Sequence, residues 1–352
     1  MQDEIIIKDP AELLEKIEEL HPSDIADSLK RIKKNNDDEF YAVLKQLPDD
    51  ILGDVLLELP DAIREETYSI LSIEQLTDAV EELESDDATD IFQEIEEVDV
   101  EKAKEIFEGL EVEDQQDINW LKRYEEEEAG AFMQTELFSA SVGETIGNSI
   151  ARLKAAKEED ELENIHQVFV TNEEKVLIAS ILLEDLIIFD FNKTYKEIIN
   201  SREDHFRPFK VQDNEEIDDV AKKFEKYDLS VVAVVGYGDI LIGRITSDDI
   251  LDVIEQNATE QIYQLAGVDE EYEHEEEFVT TSKKRALWLS LNLITAILAS
   301  LVIGLFESTI QQYVALAILM PIVASMGGNA GTQTLAVMVR QLALGEIDLD
   351  NS

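Results

Sequence analysis

The chain has 352 residues with 29 Lys+Arg against 81 Asp+Glu, a formal net charge of −52. Such a surplus excludes nucleic acid as a partner, because phosphate binding needs basic surface, and it draws cations instead. Cysteine is absent, so disulfides and thiolate metal sites are excluded, and His21, His166, His205 and His274 show no ligand spacing. The metal chemistry left open is that of hard cations held by oxygen.

The opening stretch, MQDEIIIKDPAELLEKIEEL, is acidic and predicts an amphipathic helix and no signal peptide. Leu47, Leu59, Leu71, Leu83, Ile95 and Phe107 then fall twelve residues apart, and Val55, Ala79, Ile91 and Ala103 share a second register of the same spacing. This period predicts short helices stacked around a common core, as in a helical solenoid. Pro48 and Pro60 suit first helical turns, and Ser72 and Ser85 suit N-caps. An acidic all-α superhelix is therefore expected over 1–125, its carboxylates being either a solvated scaffold surface or metal ligands.

Near Tyr124 the helical period gives way to alternating strands and helices. Strands are predicted at 167–170 and 176–182 and a helix at 183–189. A second copy places a helix at 217–227, a strand at 230–235, a turn at 238–243 and, after Arg244-Ile245-Thr246, a helix at 248–255. Two small α/β halves are expected, at 126–195 and 196–256, followed by a connecting helix at 257–282. The acidic runs 125–128 and 269–277 read as solvated linker faces.

After Ser282 the charged residues are Lys283, Lys284, Arg285 and Arg340 against Glu307, Glu346, Asp348 and Asp350, so the whole −52 belongs to 1–282. Residues 286–306 carry no charge, and about 20 apolar residues suffice to cross a bilayer as a helix. Lys283, Lys284 and Arg285 just before them place the acidic N-terminal region in the cytoplasm. A second uncharged run, 308–339, returns to Arg340. The membrane part, 283–352, is thus expected to be multi-pass in the cell membrane, with helices at about 286–306 and 312–340 and the lipid bilayer as a partner. In the second run the amides Asn329 and Gln333 are costly in hydrocarbon unless they face a partner or a water-filled path. Pro321 frees carbonyl oxygens nearby. Gly327 and Gly331, four apart, equally suit close helix packing. Pore lining by Pro321, Gly328, Asn329 and Gln333 and simple packing both remain open.

Gly243-Arg244-Ile245-Thr246-Ser247-Asp248-Asp249-Ile250 resembles the strand and helix start of a CBS module, with Ala179-Ser180-Ile181-Leu182-Leu183-Glu184-Asp185-Leu186 as its counterpart in the first half. That resemblance implies a CBS pair, a homodimer formed by stacking of pairs, and ATP or another adenine nucleotide bound through Thr246 and Asp249. In the first half Ala179 stands for the usual Gly and Leu182 for the usual Ser or Thr. Pro321, Gly327-Gly328-Asn329-Ala330-Gly331-Thr332-Gln333, Arg340 and Leu344-Gly345-Glu346 closely resemble the second membrane helix of the MgtE family of magnesium transporters. The order of the chain resembles that family throughout: acidic helical domain, a Tyr124 to Met133 junction, CBS pair, a plug helix at 255–268, then membrane.

The MgtE resemblance implies a multidomain fold, with an all-α superhelix, a tandem α/β CBS pair, a connecting helix and transmembrane α-helices. It also implies a homodimeric Mg²⁺ transporter or channel subunit whose cytosolic domains close the pore when Mg²⁺ bridges their carboxylates. Asp228, Asp249, Asp252 and Glu260 match metal-contacting acids of the family, whereas Asn257 and Gln261 stand where acids are usual. The family has five membrane helices with an ion-binding Asp on the last, so a piece of a longer protein is expected. The alternatives are a membrane-anchored Mg²⁺ or nucleotide sensor without transport, and a transporter of another divalent cation such as Co²⁺ or Mn²⁺. No enzyme signature competes: GxxxxGK loops, zinc spacings and nucleophile–base pairs are all missing from the sequence.

Overall fold

The computed structural model describes residues 6–158, 162, 164–201, 205–266 and 278–343. The chain divides into two compact units, Met1–Ile254 and Glu255–Ser352.

The first unit opens with α1 (Pro10–Lys16), α2 (Pro22–Asn35), α3 (Asp37–Leu44), α4 (Asp49–Leu57), α5 (Asp61–Ile70), α6 (Ile73–Glu81), α7 (Ser85–Val98), α8 (Val100–Gly109) and α9 (Val112–Leu121). The twelve-residue period is one short helix plus its turn. Leu47, Leu59, Leu71 and Ile95 are no more than 4 % exposed, Val55, Ala79, Ile91 and Ala103 no more than 1 %, and Leu83 and Phe107 pack on the same core. Each helix buries one stripe, so the stack is stable only as a stack.

Helix starts follow local chemistry. Asp9 and Asn36 accept the first amides of α1 and α3, and Ser72 forms a reciprocal capping box with Gln75. Pro48 and Pro60 stand one position earlier than predicted, as extended N-caps with ψ 144° and 143°, and the helices begin at Asp49 and Asp61. Ser85 is not a cap but the first residue of α7; the cap position is Glu84. The Ser85 hydroxyl donates to Glu136 and accepts from the Thr135 amide.

The α/β part contains two three-stranded sheets, β1 (Ser139–Ser141), β2 (Gln167–Thr171) and β3 (Leu177–Leu182), then β4 (Lys210–Gln212), β5 (Val231–Val235) and β6 (Leu241–Thr246). In each, the first pair is parallel and the second antiparallel, with a bulge at the same place. The parallel pairs are crossed over by α10 (Ile146–Glu158) and α13 (Ile217–Tyr227); α11 (Leu183–Leu186) and α12 (Tyr195–Ser201) follow β3, and α14 (Ser247–Ala266) follows β6. Ala179 faces Val170 and Gly243 faces Val234, so the two occupy one register position in the two copies. The modules join back to back through the Leu177 N–H to Asp239 C=O and Leu241 N–H to Lys175 C=O bonds, over a core of Phe169, Leu177, Val231, Ala233, Val235 and Leu241.

Residues 238–243, predicted as a turn, are a turn only up to Asp239; β6 begins at Leu241. Gly243 lies inside that strand because the chain crosses it there. A Cβ at 243 would meet Met133 Sδ at 2.8 Å and the Gln134 carbonyl at 2.9 Å. Gln134 and Arg244 exchange backbone hydrogen bonds of 2.8 and 3.0 Å, and Ala129 and Gly130 donate to the Glu215 and Asp213 carbonyls. The run 125–128 is therefore backbone-paired to the second module, with Glu128 bridged to Glu216, while Glu125–Glu127 still turn their side chains to solvent. Leu121, Ala129 and Met133 join the second module's core.

In the second unit α15 (Phe278–Leu305), α16 (Glu307–Gln312) and α17 (Val314–Ala343) follow one another. Among the described residues one helix is long and apolar enough to cross a membrane, Val314–Met338, with mean hydropathy 1.6; Leu289–Leu305 is a shorter apolar helix. The predicted connecting helix is the second half of α14 rather than a separate element, and the acidic run 269–277 lies outside the described residues.

Candidate cation site

The N-terminus of α7 is where the helical domain meets the second module. A cavity of about 1120 Å³ opens there. Asp50 and Asp54 of α4 reach it from one side, spaced one turn apart. Asp87, Asp90 and Glu94 line it from α7, at spacings that put them on one helical face. Asp248, Asp249 and Asp252 come from the start of α14, and Glu136 from the segment that leads into β1. Arg64 sets the wall on the α5 side. It holds Glu94 through both carboxylate oxygens and donates to Asp61 and to the Leu57 and Leu59 carbonyls, while the Tyr68 hydroxyl donates to Glu94.

The electrostatics follow from like charges enclosed together. Burial first, then Asp249 and Asp90, push Asp87 up to about 8. Burial raises Glu84 to about 7, Glu136 and Asp249 adding to it against the pull of Arg244. Asp90, exposed on the cavity wall, also rises to about 7 through desolvation by the surrounding protein and then Glu94, with Arg64 opposing. Asp86 is driven well above the carboxylate range by burial, and its Oδ1 is buried without a hydrogen-bond partner. Asp249 is raised by burial although it accepts from the Thr246 amide at 3.1 Å and the Thr246 hydroxyl at 2.7 Å.

Such a wall attracts positive charge. Its carboxylates offer hard oxygen, the donor that suits Mg²⁺ or Ca²⁺, and His21 adds an imidazole whose Nδ1 lies 3.0 Å from the Ser23 hydroxyl. Among the described residues no three His, Asp or Glu converge into a ready-made first coordination shell.

Of the acids selected from sequence, Asp249 and Asp252 line the cavity. Asp228 instead ends α13 in a left-handed conformation, φ 50°, is exposed, and does not line it. Glu260 lies on α14, and its side chain is outside the described residues. Sequence reasoning missed Glu84, Asp87 and Asp90. Their signal was the i, i+3 acid spacing at the start of the longest helix of the repeat, lost in a chain acidic nearly everywhere. Pro321, Gly328, Asn329 and Gln333 lie on α17, all exposed in this chain, and a Cβ at Gly327, Gly328 or Gly331 would meet nothing.

The Thr246 hydroxyl, on a residue 4 % exposed, is spent on Asp249, which closes the start of α14. At the equivalent place in the first module stands Leu182, and Asp185 faces His205 at 3.8 Å. Among the described residues the hydroxyl–carboxylate pair is thus present in the second module, its two members hydrogen-bonded to each other, while the first module has Leu182 in the hydroxyl's place.

Residues 20–127 match the MgtE intracellular N domain, 201–256 a CBS domain and 320–352 the divalent cation transporter domain of MgtE. The chain belongs to the MgtE family. It is 36 % identical over 228 residues to the magnesium transporter MgtE of Enterococcus faecalis, covering 65 % of this chain and 49 % of that protein. It is 32 % identical over 235 residues to the MgtE of Thermus thermophilus, covering 66 % and 51 %. The chain thus spans about half the length of these relatives. Among solved structures it resembles the cytosolic domain of the Mg²⁺ channel MgtE in complex with ATP, at 29 % identity and TM-score 0.62 over 70 % of this chain and 95 % of that one. It also resembles the soluble part of a magnesium transporter, at 26 % identity and TM-score 0.59 over 71 % and 96 %. The MgtE fold accounts for the helical stack and the CBS pair described above.

Proposed function

We propose that this chain is the sensing region and first membrane helices of a Mg²⁺ transporter or channel subunit. Mg²⁺ entering the cavity between the helical domain and the second CBS module draws the two together and closes the pore. The observation that carries this reading is the cavity itself, where acids of α4, α7 and α14 face one another and where Glu84, Asp87 and Asp90 rise to about 7, 8 and 7. Without a cation they repel; a hydrated Mg²⁺ among Asp87, Asp249 and Asp252 replaces bound protons and removes the repulsion. Its kinship with magnesium transporters and its apolar α17 support a place in the cell membrane, crossed more than once, with the N-terminal region in the cytoplasm. Pro321, Gly328, Asn329 and Gln333 are the pore-lining candidates of α17. Asp228, which does not line this cavity, and Glu260 are further ion-contact candidates through the family resemblance, and the subunit works as a homodimer. Thr246 and Asp249 serve the start of α14, Asp249 also facing the cation, and an adenine nucleotide on this pair is the second ligand supported by the likeness to a cytosolic domain in complex with ATP.

The test is Mg²⁺ flux through the complete protein in liposomes, with internal Mg²⁺ varied. Flux that falls as internal Mg²⁺ rises into the millimolar range, and that persists at high Mg²⁺ in Asp87→Asn/Asp249→Asn, is the expected result. Normal gating in that double variant overturns the cavity's role. No flux at any Mg²⁺ concentration leaves a membrane-anchored sensor, and faster Co²⁺ or Mn²⁺ flux reassigns the ion.

A further inference from the structure

Arg64 stands on α5 with its side chain 12 % exposed, and every nitrogen of its guanidinium is engaged. Nε donates to Glu94 Oε2 at 2.6 Å and Nη2 to Glu94 Oε1, so the rigid fork grips both oxygens of one carboxylate. Nη2 also donates to Asp61 Oδ1 at 2.8 Å, and Nη1 to the Leu57 and Leu59 carbonyls at 3.2 and 3.3 Å, at the C-terminal end of α4. The Tyr68 hydroxyl adds a further bond to Glu94 Oε2, at 2.6 Å.

Ties between helices elsewhere in the stack are simpler. Lys33 meets Glu66 and Lys122 meets Glu96, each a single ammonium on one carboxylate oxygen, and neither pair lines the cavity. Arg64 and Glu94 both line it. Asp87, Asp90 and Glu94 share one face of α7, yet among the described residues Glu94 is the member of that face held in an ion pair. A carboxylate gripped at both oxygens by a guanidinium, with a hydroxyl added, has its charge matched and its lone pairs occupied. It is a poor ligand for an ion arriving from the cavity. The charge of Arg64 reaches the next acid as well, where it opposes the rise of Asp90.

We propose that Arg64 is a positioning residue that withholds Glu94 from the ion, and so sets how tightly the cavity binds and its preference between Mg²⁺ and Ca²⁺. The proposal rests on the cation reading of the cavity given above. Arg64 and Glu94 both belong to the helical domain, so the restraint does not depend on that domain meeting the second module. The chemistry of the two ions gives the direction. Mg²⁺ keeps several waters and uses one or two carboxylates, whereas Ca²⁺ gathers roughly six to eight oxygens, bidentate carboxylates among them. Freeing Glu94 would give the α7 face one more carboxylate able to chelate, which helps Ca²⁺ more than Mg²⁺.

The absence of cysteine allows a spin-label pair at the exposed positions Glu105→Cys on α8 and Glu173→Cys on the turn between β2 and β3. Pulsed electron resonance on the whole chain in detergent would follow the distance between the labels from EDTA through separate Mg²⁺ and Ca²⁺ titrations. The unaltered background is expected to pass from a broad to a narrow distribution as either ion rises. Arg64→Met should lower the Ca²⁺ midpoint about ten-fold and the Mg²⁺ midpoint about three-fold, the scale of one charge gained beside a divalent ion. Glu94→Gln leaves a positive charge unmatched in the wall and should raise both midpoints. Arg64→Met with Glu94→Gln should bring both back near the unaltered values. A tie that merely holds α5 to α7 would move the two single variants in the same direction, and that result overturns the proposal. So does an Arg64→Met chain with unaltered midpoints, or one in which the two ions shift equally. Should Arg64→Met fail to fold, Arg64→Lys keeps the charge but frees part of Glu94, and it must still lower the Ca²⁺ midpoint more than the Mg²⁺ midpoint; unaltered midpoints there overturn the proposal. Each of these failures leaves the cation reading in place, whereas an unaltered chain that stays broad at every Mg²⁺ and Ca²⁺ concentration overturns both.

Discussion

The two CBS modules share strand order, register and even the position of the bulge, yet they meet different neighbours. At equivalent positions the first carries Ala179, Ser180 and Leu182, and the second Gly243, Arg244 and Thr246. The second has the glycine that lets residues 133–134 cross its strand and the arginine that reaches Glu84. It also has the threonine that positions Asp249 over the cavity. The difference teaches that one scaffold can stand in two settings, and that three residues make the second copy the docking face for the helical domain.

The largest break in that contrast is expected at the glycine. Gly243→Val must displace Met133 and the Gln134 backbone and should cost about 3 kcal/mol or more, read as a lowered denaturation midpoint. Ala179→Gly at the matching site of the first module should cost only roughly 1 kcal/mol. Equal losses would mean that the crossing at 133–134 does not set the constraint.

Charge comes next. Asp87→Asn with Asp90→Asn should make residues 1–254 of the chain as protease-resistant in EDTA as the unaltered chain is in Mg²⁺, because repulsion across the cavity is relieved. Glu184→Gln with Asp185→Asn in the first module should leave the EDTA cleavage pattern unchanged.

Acidity sharpens the same comparison with opposite signs. Glu84, Asp87 and Asp90 titrate higher in the folded chain than unfolded, to about 7, 8 and 7, because desolvation first, and neighbouring carboxylates after it, disfavour their ionised forms. The folded state therefore holds the extra protons, and in cation-free buffer the stability they contribute is full below about pH 4 and declines as pH rises toward 8. In the first module, hydrogen bonds from Asn192 hold Asp190 low and hydrogen bonds from Thr194 hold Glu197 low. Their contribution is present above the unfolded pKa and is lost as pH falls through the folded one. Amide exchange in EDTA should show the seam around α7 gaining protection from pH 8 to 5.5, with the turns at Asn192 and Thr194 keeping theirs until more acid conditions. Protection at α7 that grows with pH would reverse the assignment.

The smallest effect is expected at the helix start. Thr246→Val removes the hydroxyl bond to Asp249 and should cost about 1 kcal/mol. Leu182→Thr in the first module should change stability by less than about 0.5 kcal/mol, as for an exposed site.

Much of this was legible in the sequence. The twelve-residue period marked buried positions, since an apolar residue repeated at the spacing of one helix and turn has to face a common core. β5 was visible as a β-branched run, but β6 was hidden by Gly243, a residue that reads as a turn until its neighbour is known. Asp249 and Asp252 were found through the resemblance, whereas Glu84, Asp87 and Asp90 were lost among many acids. Nothing local separates a solvated carboxylate from one enclosed by another domain. Arg244 was read only as part of a motif, because a single buried charge has no periodicity.

By itself the sequence determined the order of parts: an acidic helical stack, two α/β halves and apolar helices. Those features rest on local period and on where charge stops, which the chain carries residue by residue. Only the tertiary structure decided which of the two halves meets the helical domain, which acids share a cavity, and that Arg244 stands between them. Burial, enclosure and pairing are properties of residues far apart in the chain, and they come into being only when the chain is folded.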